Sequence, residues 1–101
     1  MLLNQLFKQA PEIEIQSIND DSRKKKPNSL FFCVKGMRFD GHQFVQDAIE
    51  NGAIAVVHSE ELVHYEEGIL YFRVNDVVDT LNVIADLFYA EASYHLQMFG
   101  V

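Results

Sequence analysis

Apolar positions along this chain alternate between strand-like and helix-like spacing. Leu2, Leu3, Leu6 and Phe7 recur at helical intervals and Pro11 ends the pattern, which predicts a short amphipathic helix over residues 2–9. From Glu12 to Ile18 polar and apolar residues alternate, with Ile13, Ile15 and Ile18 on the apolar side, the pattern of a half-buried strand. Asn19 to Ser22 are turn formers, and Pro27, Asn28 and Ser29 mark a second turn. Leu30 to Val34 is continuously apolar and suits a central strand buried on both faces. Asp40 followed by Gln43 resembles a capping box for a helix whose face is Phe44, Val45, Ala48 and Ile49, and Asn51 and Gly52 stop it. Ala53 to Val57 then reads as the next buried strand, completing a right-handed crossover unit. His58 to Gly68 is an acidic surface connection with room for one helical turn in Ser59–Val63. Ile69 to Val74 is a further strand, and Asn75 or Asp76 caps a helix that buries Val77, Val78, Leu81, Ile84, Ala85 and Phe88. Leu96 to Val101 turns strand-like again.

A strand buried on both sides needs a layer over each face, so the expected class is α/β, in one domain over residues 1–101. An apolar fraction of 49% with 23% charged residues is that of a folded globular domain. Cys33 is the only cysteine and lies inside the apolar run, which points to a buried structural thiol and a cytoplasmic location. The N-terminus has no basic leader, and no stretch approaches the ~20 apolar residues of a membrane span.

Charge changes the picture. Arg23, Lys24, Lys25, Lys26, Lys35 and Arg38 are six of the eight Lys and Arg residues, no Asp or Glu falls between Arg23 and Arg38, and the rest is strongly acidic. A net charge of -7 argues against nucleic acid or an anionic membrane as partner, both of which require a broad basic face. A local site for a phosphate or diphosphate remains, formed by Asp21 to Phe44 as a loop, strand and loop.

Within that stretch, Ser22 is either a turn residue or a hydroxyl donor to the anion. Gly36 and Gly41 bracket Met37, Arg38, Phe39 and Asp40, either to permit positive φ or, at Gly36, to let a ligand approach the main chain. His42 reads as a hydrogen-bonded structural residue at a helix start. His58, His64 and His95 have no metal-ligand spacing, so no metal site is assigned. There is no GxxxxGK[ST] loop, no GxGxxG and no nucleophile elbow, and no residue is assigned a catalytic role.

The segment DSRKKKPNSLFFCVKGMRFDGHQFVQDAIENGAIAVV resembles the N-terminal domain of the MurE-type Mur ligases. Asp21-Ser22-Arg23, Pro27, Gly36, Asp40-Gly41-His42, Phe44, Ala48-Ile49 and Gly52-Ala53 carry the likeness. The resemblance implies a three-layer α/β/α domain with a small mixed, mostly parallel sheet, like the N-terminal domains of MurE and MurF. It implies that the domain holds the UDP moiety of UDP-N-acetylmuramoyl-L-alanyl-D-glutamate. Ser22 and Arg23 would contact the nucleotide and Gly36, Met37, Arg38 and Phe39 would lie against the diphosphate. Asp21, Asp40, Gly41 and His42 would shape the loops. Asn28 departs from the glycine often found there. The family's ATP-binding loop, which follows a segment like Met98 to Val101, its modified lysine and its C-terminal domain have no counterpart within these residues. ATP and Mg2+ would therefore act in other domains of a longer enzyme, in cis, that adds L-lysine or meso-diaminopimelate in peptidoglycan synthesis. An alternative is a noncatalytic α/β module whose basic loop docks an acidic or phosphorylated partner. A third is a small phosphate-binding receiver-type domain, which would need Asp20 and Asp21 to supply an acidic pocket.

Overall fold

The computed structural model describes residues 2–100, with side chains from residue 2 to residue 90. Four strands, β1 (Ser17–Asn19), β2 (Ser29–Phe32), β3 (Ala53–His58) and β4 (Leu70–Arg73), form one sheet in the order β1-β2-β3-β4. All three pairings are parallel, and the antiparallel contribution is confined to isolated bridges at Leu2–Glu14 and Lys35–Asp40. Helices α1 (Val45–Glu50) and α2 (Val77–Gly100) complete a three-layer α/β arrangement.

The apolar run of β2 explains this layering. Leu30, Phe31, Phe32 and Cys33 are all buried. Leu30 and Phe32 pack with Ile15, Ile18, Val57, Val77 and Ile84 beneath α2, whereas Phe31 and Cys33 pack with Val45, Ala48, Val56 and Leu62 on the α1 side. Each buried phenylalanine contributes about 1.5–3 kcal/mol relative to exposure. Register shifts between Ser29 and Leu30, which pair with Ala53 and Ala55, so Ile54 is an extra residue on β3. This bulge lets Ile54 and Ala55 both meet the α2-side core.

Several expectations change. Residues 2–9 contain only a 3-10 turn at Leu3–Gln5, because the Leu3 amide bonds the Ile13 carbonyl at 2.7 Å and folds the segment back along the chain. So short a helix has little intrinsic stability against such a tether. The first strand begins at Ser17 rather than Glu12, since the β2 partner opposite starts at Ser29, directly after Pro27 and the turn residue Asn28. Asn19 belongs to the strand, and Ile13 is exposed. Ser59–Val63 contains no helix, although Leu62 is buried. On α2, Val78 faces solvent while Val77, Leu81, Ile84, Ala85 and Phe88 meet the core. Residues 96–100, expected as strand, continue α2, and Val101 lies outside the described residues.

Asn28, in place of glycine, has φ 53°, a left-handed conformation that asparagine tolerates best among residues bearing a side chain. Gly52 ends α1 at φ 113°, and a Cβ there would stand 2.5 Å from the Lys26 carbonyl oxygen and 2.7 Å from Pro27 Cα. Gly68 also has positive φ, 87°, but open space around it. Replacing Gly52 with Ala is therefore expected to cost more than the ~1–3 kcal/mol of a strained backbone conformation, and Gly68→Ala only that conformational part. Urea denaturation of both variants tests this, and equal losses would show that the Lys26–Pro27 contact does not constrain the fold.

Candidate functional site

In an open parallel sheet the loops that leave the carboxyl ends of neighbouring strands flank a crevice. Here the turn after β1 and the loop after β2 flank a cleft of about 350 Å3. It is lined by Asp20, Asp21, Ser22 and Arg23 from the first, by Val34, Phe39, Gly41 and Phe44 from the second, and by Phe31 and Asp47.

Two successive side-chain turns shape the first wall. The Asp21 amide donates to Asn19 Oδ1 at 3.0 Å, and the Arg23 amide donates to Asp21 Oδ1 at 3.0 Å. Asn51, at the end of α1, holds this turn from behind: its Nδ2 donates to the Ser22 carbonyl at 2.8 Å, and its carbonyl accepts from the Lys26 amide at 2.9 Å. Ser22 is buried to 8% exposure, and its hydroxyl has no hydrogen-bond partner among the described residues. That leaves a hydroxyl at the cleft lining available to a ligand, whereas the enclosed hydroxyl without a partner is that of Ser29, on β2. Arg23 Nε and one terminal nitrogen each donate to the Asp21 carboxylate at 3.1 Å. This hydrogen bonding lowers the Asp21 carboxyl to about 2.

The second wall is a tight loop. The Gly36 amide donates to the Phe39 carbonyl at 2.7 Å and the Gly41 amide to the Val34 carbonyl at 2.9 Å. Phe39 and Phe44 meet edge to face with centroids 6.1 Å apart. Gly41 is required by packing rather than by φ, since a Cβ would lie 2.9 Å from Cys33 Cα and Val34 N. Gly36 has neither positive φ nor crowding, and its amide is committed to the Phe39 carbonyl.

His42 locks this wall to the segment after β3. Its Nε2 accepts from the Ser59 and Glu60 amides at 3.1 and 3.2 Å, which assigns the proton to Nδ1, 2.6 Å from Asp40 Oδ1. Burial raises the Asp40 carboxyl, but hydrogen bonds from the His42 ring and amide outweigh it and hold the group below 3.8. Asp40, His42 and Glu60 bring ligand atoms within 4.8 Å of one another. Both ring nitrogens are engaged, however, and the Lys35 ammonium lies 3.4 Å from Glu60, so the group works as a tie rather than an open metal site. Cys33, behind the cleft, is fully buried, and desolvation with the nearby Asp40 charge pushes its thiol up to about 12. It is an inert packing group.

The basic residues are dispersed. Arg23 pairs with Asp21, Lys26 Nζ donates to the Ile18 carbonyl at 3.1 Å, and Lys35 pairs with Glu60. Lys24, Lys25 and Arg38 have no such partner among the described residues. Gly36, Met37 and Arg38 lie outside the cleft lining, with Met37 fully exposed. The lining itself holds three carboxylates and one guanidinium, an aromatic and hydrogen-bonding cleft rather than the cationic cradle suggested by charge counting. Phe31, Phe44 and Asp47 were not among the expected site residues. The helical spacing of Phe44 and Asp47 was the available signal.

Residues 14–89 match the family described as "Mur ligase family, catalytic domain". The chain belongs to the Mur ligase family. A UDP-N-acetylmuramoyl-L-alanyl-D-glutamate--2,6-diaminopimelate ligase of Alkaliphilus metalliredigens is 39% identical over 89 residues, covering 88% of this chain and 18% of the relative. An enzyme of the same name from Listeria monocytogenes is 36% identical across 100% of the chain and 22% of its own length. The crystal structure of MurF from Acinetobacter baumannii superposes with a TM-score of 0.63 at 29% identity, over 78% of this chain and 18% of that one. This Mur ligase chain thus spans about a fifth of the length of these relatives. Among its described residues, no helix is long and apolar enough to cross a membrane.

The depressed Asp40 value gives a pH test. The folded state favours the ionised form, so the stabilisation is complete above about pH 4 and is lost as pH falls through the folded value. The stability advantage over Asp40→Asn is therefore expected to shrink from about pH 6 to about pH 3 in urea titrations. A constant difference would mean that the Asp40–His42 bond does not discriminate between protonation states. His42→Ala, which strips the acceptor from two amides, is expected to cost about 1–3 kcal/mol in the same assay.

Proposed function

We propose that this chain holds the uridine diphosphate end of UDP-N-acetylmuramoyl-L-alanyl-D-glutamate for a longer ATP-dependent ligase of peptidoglycan synthesis. That enzyme would add L-lysine or meso-diaminopimelate as the third peptide residue. The observation that carries the reading is the Ser22 hydroxyl, unpartnered among the described residues, in a cleft that also offers the Phe39–Phe44 pair. The aromatic side suits the flat base, and Ser22 and Arg23 suit the phosphates. Lys24, Lys25 and Arg38 supply a field that draws in the anion. The two relatives' names, which specify a UDP-muramoyl dipeptide, agree with this assignment.

The chain's own part is binding. In the longer enzyme, ATP with Mg2+ would convert the D-glutamyl carboxylate to an acyl phosphate, and the incoming amine would displace phosphate. By fixing the nucleotide end, this domain would hold the carboxylate at a constant reach from that chemistry.

Calorimetric titration with UDP tests the reading. Ser22→Ala and Phe39→Ala are each expected to weaken binding by about tenfold, the worth of one good contact. Charge reversal at Lys24 and Lys25 should weaken it less and steepen with falling salt. A failure of both UDP and the UDP-muramoyl dipeptide to produce heat, with no chemical-shift change at Ser22 or Gly36, would remove the proposal. Loss of an acidic protein partner on charge reversal, with UDP inert, would favour the docking module instead.

A further inference from the structure

We infer that Asp47 reads the ribose of the nucleotide and makes the cleft select ribonucleotides over 2′-deoxynucleotides. The inference rests on the nucleotide reading above and adds to it a residue and the sugar group it recognises.

A carboxylate in a cleft for a diphosphate ligand is electrostatically unfavourable unless it meets hydrogen-bond donors of that ligand. Asp47 lines the cleft, and its carboxylate has no hydrogen-bond or ion-pair partner among the described residues. Asp21 differs, because Arg23 already neutralises it. Asp20 belongs to the turn that carries Ser22 and Arg23, the side assigned to the phosphates.

Asp47, an exposed residue in the first turn of α1, follows the N-cap residue Phe44 by three positions, and both line the cleft. Neighbouring positions on one cleft lining suit a base and its own ribose, which are one glycosidic bond apart. A base laid on the Phe39–Phe44 pair therefore brings its sugar beside Asp47. The 2′ and 3′ hydroxyls are adjacent donors, and one carboxylate can accept from both in charge-assisted bonds. The same chemistry lets an acidic residue hold the ribose 2′-hydroxyl in dinucleotide-binding folds. Removing the 2′-hydroxyl leaves a carboxylate oxygen unpaired against a bound anion, so the deoxy ligand loses a contact and retains the repulsion.

The test compares UDP with 2′-deoxy-UDP on the 101-residue chain and its Asp47→Ala and Asp47→Asn variants, by titration with chemical-shift mapping. The unmodified chain is expected to prefer UDP by about tenfold, the equivalent of one charge-assisted hydrogen bond. Asp47→Ala should bring the two ligands within about twofold of each other while Ser22 and Phe39 signals still shift, and Asp47→Asn should retain part of the preference. A preference that survives Asp47→Ala, or an equal loss of both ligands as expected if Asp47 read the base, overturns the inference and leaves the nucleotide site standing. If neither nucleotide shifts any cleft resonance in the unmodified chain, both readings fall.

Discussion

Removing Leu30 to Cys33 from water on both faces of β2 is the constraint on which the remaining structure depends. A strand with that burial cannot lie at a sheet edge, so β1 and β3 must flank it and a helical layer must cover each side. Parallel pairing follows from carrying the chain back between strands through covering segments. The carboxyl ends of β1 and β2 then lie together, and their exit loops share one space. The cleft is a consequence of how the hydrophobic run is buried.

Both loops are held by groups outside them. Asn51 grips the turn bearing Ser22 from the end of α1, and His42 joins the loop bearing Phe39 to the backbone beyond β3. The walls are therefore set by the folded core, which lowers the ordering cost of binding. Three of the six basic residues of this stretch are committed within the domain, Arg23 to Asp21, Lys26 to a strand carbonyl and Lys35 to Glu60. Local charge thus has two uses here, closing turns and, at Lys24, Lys25 and Arg38, facing solvent.

What could be read from the residues followed burial. Continuous apolar runs located β2 and β3, and Asn51–Gly52 located the stop of α1, whereas Asp40 caps a 3-10 turn at Gly41–Phe44 through the His42 amide and α1 itself begins at Val45. The misreadings lay where local pattern competes with a distant partner. Leu2 to Phe7 has helical spacing but is tethered to Ile13, and Ile13 alternates like a strand but meets that segment outside the four-stranded sheet. At the cleft, the D-S-R and D-G-H residues were legible through their resemblance to a family, while Phe31 and Asp47 enter only when strand and helix are placed side by side. Charge counting singled out a stretch that borders the cleft and overstated its cationic character, because pairing is a property of geometry.

The order of the strands leaves β4 at a sheet edge, with no strand on its outer side among the described residues, and it ends in the exposed residue Arg73. A second β4 edge pairing with it in parallel register would bring these like charges opposite each other, which disfavours that contact. A charge at the strand tip thereby weakens one route of edge-to-edge pairing, a task unrelated to the ligand and one that a lysine could share but an alanine could not.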